Sequence, residues 1–159
     1  MSAIISSCGK YRYRLTREFG FTGEGAVCFV MLNPSTADAE KDDPTIRRCM
    51  GFAKRLGAAR LEVVNLFAWR STDPKALIPL GKDVAVGPEN DEHILDVTRR
   101  SKVVICAWGN DGVLFGRDKE VNRLIGSVQM PMALKINAKS GQPAHPLYLK
   151  SDAKLLPLR

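Results

Sequence analysis

The sequence predicts an α/β fold: a three-layer α/β/α sandwich with a central, mainly parallel, four-stranded sheet. Four short segments rich in apolar strand formers occur at residues 26–32, 61–66, 103–108 and 132–136. Apolar runs of this kind are typical of strands that are buried on both faces, as in parallel sheets. Helical patterns separate the four segments, and this alternation indicates a parallel sheet that is covered by helices.

The first third of the chain shows the local signals most clearly. Residues 11–15 alternate aromatic or apolar with charged side chains, which predicts a strand with one face in water. A glycine-rich turn at 20–25 precedes the first buried strand. Asp43 and Pro44 then open a helix as N-cap and first helical residue, and Gly57 ends it.

The remaining elements follow from the same patterns of apolar spacing, glycine and proline. Residues 71–86 contain two prolines and a glycine and are expected to form a long ordered loop. In chain order the other predicted elements are strand 61–66, helix 88–98, strand 103–108, helix 117–125 and strand 132–136.

Length and composition predict one domain over residues 1–159. Hydrophobic residues make up 45% of the 159 residues and charged residues 26%, as in ordinary globular proteins. The sequence has no run of about 18 uncharged apolar residues, so no membrane span is expected. The first residues have no long apolar segment of the kind found in signal peptides, and we expect a cytoplasmic protein.

The four cysteines, at positions 8, 28, 49 and 106, show no C-x-x-C spacing. Zinc and iron–sulfur sites are therefore poorly supported, and we expect free, mostly buried thiols. No cofactor is predicted.

The net charge of +7 indicates a polyanionic partner, although scattered surface charge explains it about as well. Residues 117–159 hold eight Lys/Arg and three Asp/Glu, which gives +5 of the total. Residues 36–43 are instead acidic. A basic rim for phosphate around a polar cleft would fit this distribution.

Polar and aromatic residues follow every predicted buried strand. In open parallel sheets ligands bind beyond the carboxyl ends of the strands, so these residues are expected to meet at one edge. They are Asn33, Pro34, Ser35 and Asp38 after the first strand, Asn65, Phe67, Trp69 and Arg70 after the second, Trp108 and Gly109 after the third, and His145 and Tyr148 after the fourth.

Asn33 and Asn65 each also have a structural interpretation, whereas packing gives no reason for His145 in its loop. Asn33 either forms a hydrogen bond to a water or to the edge of a ligand, or it stabilises the turn before Pro34. Asn65 lies where asparagine is disfavoured in a strand, and its amide either reads a base edge or bonds a neighbouring loop. His145, in a Gly/Pro-rich loop, is a candidate donor to a phosphate or a developing anion.

The aromatic residues at these strand ends form a candidate stacking platform for a base. For Phe67 a core position is as plausible as a site position, and Trp108 is favoured for the site because Gly109 follows it directly. Arg70 is a candidate phosphate ligand, with a solvated surface position as the alternative.

Several common active-site motifs are missing from the sequence. We find no G-x-G-x-x-G with a following acid, no P-loop, no G-x-S-x-G and no H-E-x-x-H. Nucleotide-dependent oxidoreduction, P-loop hydrolysis and metalloprotease chemistry are therefore poorly supported. A triad centred on Ser35 has no local sequence support.

Together, these strand-end segments resemble the domain-of-unknown-function family 1643. The resemblance extends from Phe29 to the end of the chain and implies no activity by itself. It is carried by residues 31–38, 43–45, 65–70, 107–109 and 145–148.

More distantly, the same order is similar to the uracil-DNA glycosylase superfamily. The resemblance implies that Asn33 orients the hydrolytic water, Asn65 reads the base edge and His145 is catalytic or contacts phosphate. It also implies that Leu147 or Tyr148 wedges into a duplex. Leu147 stands where that superfamily usually has serine after His-Pro, and Asn33 stands where its most active branch has aspartate.

We therefore predict a glycosylase-like protein that binds a nucleobase or nucleotide in nucleic acid, with hydrolysis of the N-glycosidic bond as its reaction. The alternative is a non-catalytic nucleotide- or nucleic-acid-binding module on the same fold. A small-molecule hydrolase or transferase that uses Ser35, Asp38 or Asp43 is the third hypothesis.

Overall fold

The computed structural model describes residues 1–20, 23–35 and 37–158, so part of the predicted turn at 20–25 lies outside the described residues. The strands are β1 (Ser2–Ile5), β2 (Arg12–Glu18), β3 (Ala26–Met31), β4 (Arg60–Asn65), β5 (Val103–Cys106), β6 (Pro131–Ala133) and β7 (Leu156–Pro157). The α-helices are α1 (Pro44–Arg55), α2 (Lys82–Val86), α3 (Asn90–Arg100) and α4 (Arg117–Gly126).

The described strands form one seven-stranded sheet in the order β1-β2-β4-β3-β5-β6-β7. The four predicted strands are its centre and run parallel to one another. The predicted count of four is wrong because β1 and β2 extend one side of this centre and β7 extends the other, all in antiparallel pairings. The mixed α/β class is confirmed.

The two faces of the sheet carry separate hydrophobic cores. Alternate residues of β3 point to opposite faces, as the two-residue repeat of a strand requires. Val27 and Phe29 pack with Ile46 and Phe52 of α1, whereas Val30 packs on the other side. There the core is completed by Ile94 and Val97 of α3 and by Val121 and Ile125 of α4. The arrangement therefore has three layers.

Helix α1 begins as its sequence predicts. The Asp43 side chain accepts a hydrogen bond from the backbone N–H of Ile46 at 2.8 Å, and Pro44 occupies the first turn. The helix ends at Arg55, just before the left-handed Gly57 at φ +77°. The start of α1 is thereby fixed at the carboxyl edge of the parallel strands.

Two predicted elements differ from the structure. The stretch 71–86, expected to be a loop, contains a 3-10 helix (Pro74–Leu80) and the short α2. Strand β6 stops at Ala133 because the chain then pairs with its own return: the Ala144 N–H donates to the Lys135 carbonyl at 2.8 Å, and Ile136 bridges Pro143.

All four cysteines are free thiols, and Cys28, Cys49 and Cys106 are buried, as predicted. Burial raises the pKa of each of these three thiols, which keeps them protonated. Within the described ranges, no group of three or more His, Cys, Asp or Glu side chains has a metal-binding arrangement. No helix among those residues is both long and apolar enough to cross a bilayer.

Candidate functional site

A cleft of about 500 Å³ lies at the carboxyl edge of the parallel strands, on the side of the sheet that packs against α1. Seven of the twelve predicted site residues line it. They are Asn33, Pro34, Ser35, Asn65, Trp108, Gly109 and His145. The predicted convergence of four separate chain segments on one cleft is therefore observed.

A larger cavity of about 700 Å³ lies elsewhere, between α2 and α4. Its most buried charged side chain, Arg117, is already satisfied. The guanidinium donates to the Leu66 carbonyl at 2.8 Å and is paired with Asp91 and Glu120. We take the smaller cleft as the candidate site because buried polar atoms there have no hydrogen-bond partners among the described residues.

Five predicted site residues do not line the cleft. Phe67 is fully buried and packs edge-to-face on Phe115, which is the core position that we had weighed against a stacking role. Trp69 packs edge-on against Tyr11 and also lies beneath the Lys10 ammonium. Neither ring is available to stack on a base in the cleft.

The other three polar or aromatic candidates lie at the surface. Asp38 closes its own turn by accepting the backbone N–H groups of Glu40 and Lys41 at 2.9 and 2.8 Å, and these bonds lower its pKa. Arg70 reaches the Gly9 carbonyl at 3.4 Å. Tyr148 is 91% exposed, and this phenol does not line the cleft.

Asn65 is the most unusual side chain of the cleft. It ends β4 directly opposite Met31 and is only 1% exposed. Both its amide nitrogen and its amide oxygen are buried without a hydrogen-bond partner among the described residues. Buried polar side-chain atoms are nearly always bonded, so this amide is arranged for a partner that enters the cleft.

Asn33 has a different environment. Its amide nitrogen donates to the backbone carbonyls of Ser71 at 2.9 Å and Pro34 at 3.2 Å. These acceptors fix the orientation of the amide and tie the end of β3 to the loop that follows β4. Only the amide oxygen of Asn33 is left for a water or ligand.

The start of α1 forms one wall of the cleft. Asp43 accepts the Ile46 N–H with one carboxylate oxygen, while the other accepts the Ser35 hydroxyl at 3.2 Å. Because Ser35 donates to a carboxylate, it is not paired with His145 as a nucleophile would be. The geometry therefore gives no support to a triad centred on Ser35.

Trp108 also lines the cleft and is held at its polar end. Its indole N–H donates to Gln142 at 2.8 Å, and Gln142 in turn donates to Asp118 at 3.0 Å. Gly112 is required for this packing, because a Cβ there would lie 2.1 Å from the Trp108 ring. The indole is therefore fixed before any ligand arrives.

His145 lies at the rim of the cleft, where its loop enters a short 3-10 helix (Pro146–Tyr148). Its Nδ1 accepts the Leu147 N–H at 3.3 Å, so the neutral ring carries its proton on Nε2. Loss of solvent around the ring lowers its pKa, against the opposing effect of Asp43. At neutral pH the ring is thus an uncharged donor.

Acidification is expected to destabilise the protein through this histidine. Below the usual pKa of 6.5 the unfolded chain takes up a proton that folded His145 resists, so the free energy of unfolding falls as pH drops from 6.5 through the folded pKa. Well above pH 6.5 the histidine is neutral in both states and contributes no slope.

The measurement is denaturant unfolding between pH 5 and 8 for wild type and His145→Gln. His93, whose pKa burial also lowers, contributes in the same window, so His93→Gln is the matched control. An unchanged slope in His145→Gln would contradict the assignment.

Arg12 lines the cleft and was missed by the sequence analysis. The alternating pattern of residues 11–15 predicted that Arg12 faces water, but it is only 2% exposed. Because β2 is antiparallel to β4, its first residue lies at the same edge as the end of β4. Burial lowers the pKa of Arg12 to about 10, which leaves it charged at neutral pH.

These features describe an α/β protein with a polar cleft of ligand size at the ends of its parallel strands. The chain belongs to the family described as "Protein of unknown function (DUF1643)", whose model matches residues 12–147. This membership confirms the resemblance to that family. No curated protein and no solved structure matches the chain significantly.

Proposed function

We propose that the cleft binds a nucleobase, either in a nucleotide or extruded from nucleic acid, and that the protein hydrolyses the N-glycosidic bond. The observation that carries this proposal is the buried amide of Asn65, for which the described residues supply no hydrogen-bond partner. A base edge presents neighbouring hydrogen-bond donors and acceptors, which an asparagine amide matches with both of its atoms. The fixed indole of Trp108 supplies an apolar wall for the same ligand.

Base release needs a positioned water and a donor to the leaving base. The water oxygen bonds to the sugar carbon as the bond from that carbon to the base nitrogen breaks, and the electron pair leaves with the base. The amide oxygen of Asn33 accepts a hydrogen bond from the water, whose proton passes to solvent. Nε2–H of His145 donates to the departing base.

The order of these residues along the chain supports this assignment, because it resembles the order of motifs in the uracil-DNA glycosylase superfamily. In that comparison Asn33 follows the first parallel strand, Asn65 ends the second and His145 belongs to the late loop. This similarity concerns the order of residues along the chain.

A second candidate function is binding without catalysis. It is favoured by Asn33, whose amide nitrogen is committed to the loop carbonyls of Pro34 and Ser71. In this case Asn33 stabilises the loop, and the protein retains an intact base in the cleft.

The test is incubation of the protein with oligonucleotides that carry normal and modified bases, and with free nucleotides. Released base is measured by chromatography and binding by calorimetry. We expect Asn65→Ala to weaken binding by about tenfold to a hundredfold, since a bidentate base contact contributes about 1–3 kcal/mol. Asn122→Ala is the matched control, because its buried amide oxygen also has no partner among residues 1–20, 23–35 and 37–158 but it does not line the cleft.

The outcomes separate the two functions. Release that is lost in His145→Ala, with binding retained, supports the hydrolase. Binding without release in wild type supports the binding module. If a folded wild-type protein neither binds nor releases any base in the set, both functions are excluded for those bases.

A further inference from the structure

A β-bulge in β2 turns Arg12 toward the cleft. Ile4 of β1 lies opposite Arg14 and Ile5 lies opposite Arg12, so Tyr13 is an extra residue in the pairing. Bulges of this kind re-aim a side chain and are frequent beside functional sites. Arg14 consequently pairs with Asp96 of α3, whereas Arg12 donates to the Ala37 carbonyl on the opposite face, at 2.7 Å.

Within the described ranges, Arg12 differs from the other two buried arginines because it has no counterion. Arg17 is paired with Asp42, and Arg117 with Asp91 and Glu120. No carboxylate of the described residues lies within 4.0 Å of the Arg12 guanidinium, and its buried Nε has no hydrogen-bond partner among them. A buried cation without a partner is costly, so this site favours an anion.

Asp43, an acidic residue that lines the cleft, does not supply this anion. Both carboxylate oxygens of Asp43 are engaged, one by the Ile46 N–H and one by the Ser35 hydroxyl. Asp43 still attracts Arg12 through space. It does not bond the guanidinium directly.

Arg12 and Asn65 lie on neighbouring strands and line the same cleft. Adjacent strands are about 4.8 Å apart, so one small molecule spans both side chains. The cleft volume of about 500 Å³ suits such a ligand.

We propose that Arg12 binds a phosphoryl group of the ligand whose base is read by Asn65, so that the ligand is a nucleotide and not a nucleoside or free base. This inference rests on the proposed function and adds the substrate class. Arginine binds phosphate through two parallel charge-assisted hydrogen bonds, and the unpartnered Nε with a terminal nitrogen supplies such a pair of donors.

The first experiment needs no nucleobase. Inorganic phosphate is titrated into the wild-type protein at constant ionic strength maintained with chloride, and the Nε–H resonance of Arg12 is followed by NMR. We expect a saturable shift of that resonance. Arg12→Gln should lose phosphate binding and Arg14→Gln, the control on the opposite face, should retain it.

The second experiment compares the binding of each nucleoside with that of its monophosphate to the wild-type protein. Hydrogen bonds to charged groups contribute about 1.5–3 kcal/mol, so the monophosphate should bind about tenfold to a hundredfold more tightly. Arg12→Lys, which keeps the charge but not the planar pair of donors, should lose much of this preference. A short oligonucleotide in the same assay distinguishes a chain phosphate from a free nucleotide.

The outcomes are distinct from those of the proposed function. Phosphate binding at Arg12 without any nucleobase binding would remove the proposed function and leave an anion site. Equal affinity for nucleoside and monophosphate would overturn the inference while the base site stands. If wild type shows no saturable phosphate shift at Arg12, the inference is overturned whether or not the Arg12 variants fold.

Discussion

Replacing Asn65 with leucine is expected to stabilise the free protein and to abolish ligand binding in the cleft. Asn65 is 1% exposed, and both of its amide atoms are buried without a hydrogen-bond partner in the part of the chain that the structure describes. An unsatisfied buried polar group costs about 1–3 kcal/mol. Leucine has the same branching at Cγ but no polar atoms, so the substitution removes this cost.

The expected gain is a melting temperature several degrees higher, because 1 kcal/mol corresponds to about 2–4 °C in a domain of this size. Binding is lost because leucine offers no donor or acceptor to a base. A residue that lowers stability but is needed for binding is characteristic of a functional site. The specific result that we expect is therefore a rise in stability together with a loss of ligand binding.

Asn90→Leu is the matched control, measured by thermal and urea unfolding. Asn90 is equally buried, but its amide nitrogen donates to the carbonyls of Asn65 and Leu66 at 2.9 and 3.1 Å. Its replacement is expected to destabilise the protein. If Asn65→Leu is destabilised to the same extent, the Asn65 amide is satisfied in the free protein and its role is structural.

The centre of the fold was predictable because its signals are local. The apolar run of β3 and the Asp43-Pro44 start of α1 are set by neighbouring residues in the chain. The edge strands were harder, since β7 has two residues and β1 four, too few to show a periodic pattern. Their pairing depends on distant partners and not on their own sequence.

The cleft was predictable to the extent that it follows from topology. Parallel strands bring Asn33, Asn65, Trp108 and the His145 loop to one edge whatever their side-chain contacts are. Side-chain direction within that edge was not predictable in the same way. Phe67, two residues beyond Asn65, turns into the core and packs on Phe115, which lies 48 residues farther along the chain.

The position of Arg12 shows most clearly what an alternating sequence pattern cannot predict. A single extra residue in β2 reverses the faces of the residues before it. The extra residue is detectable only from the register against β1, where Ile4 and Ile5 lie opposite Arg14 and Arg12. The sequence of β2 alone carries no sign of it.

Arg17→Met is expected to cause the largest loss of stability and also to weaken ligand binding in the cleft. Arg17 is fully buried; its guanidinium donates to Asp42 at 2.7 Å and to the backbone carbonyls of Asp38 and Lys41. It thus holds the acidic loop in place against the sheet. This loop leads directly into Asp43, the N-cap of α1 and the acceptor of the Ser35 hydroxyl.

Removal of one partner of a buried ion pair costs about 3–5 kcal/mol. The Asp42 side chain is 26% exposed, so water partly solvates its carboxylate once Arg17 is removed. We therefore expect a cost at the lower end of this range. Both loop carbonyls also lose their donor. Urea unfolding at neutral pH should show the loss, with Arg100→Met, which removes an exposed ion pair with Asp96, as the control of small effect.

A double-mutant cycle identifies the cause. If the pair with Asp42 dominates, Asp42→Asn should cost much less in the Arg17→Met background than in wild type. If the loop carbonyls dominate, the two substitutions should be additive, and ligand affinity should fall with Arg17→Met alone because Asp43 and Ser35 shift with the loop. A loss below about 1 kcal/mol, the usual value of a surface ion pair, would show that Arg17 does not hold the loop.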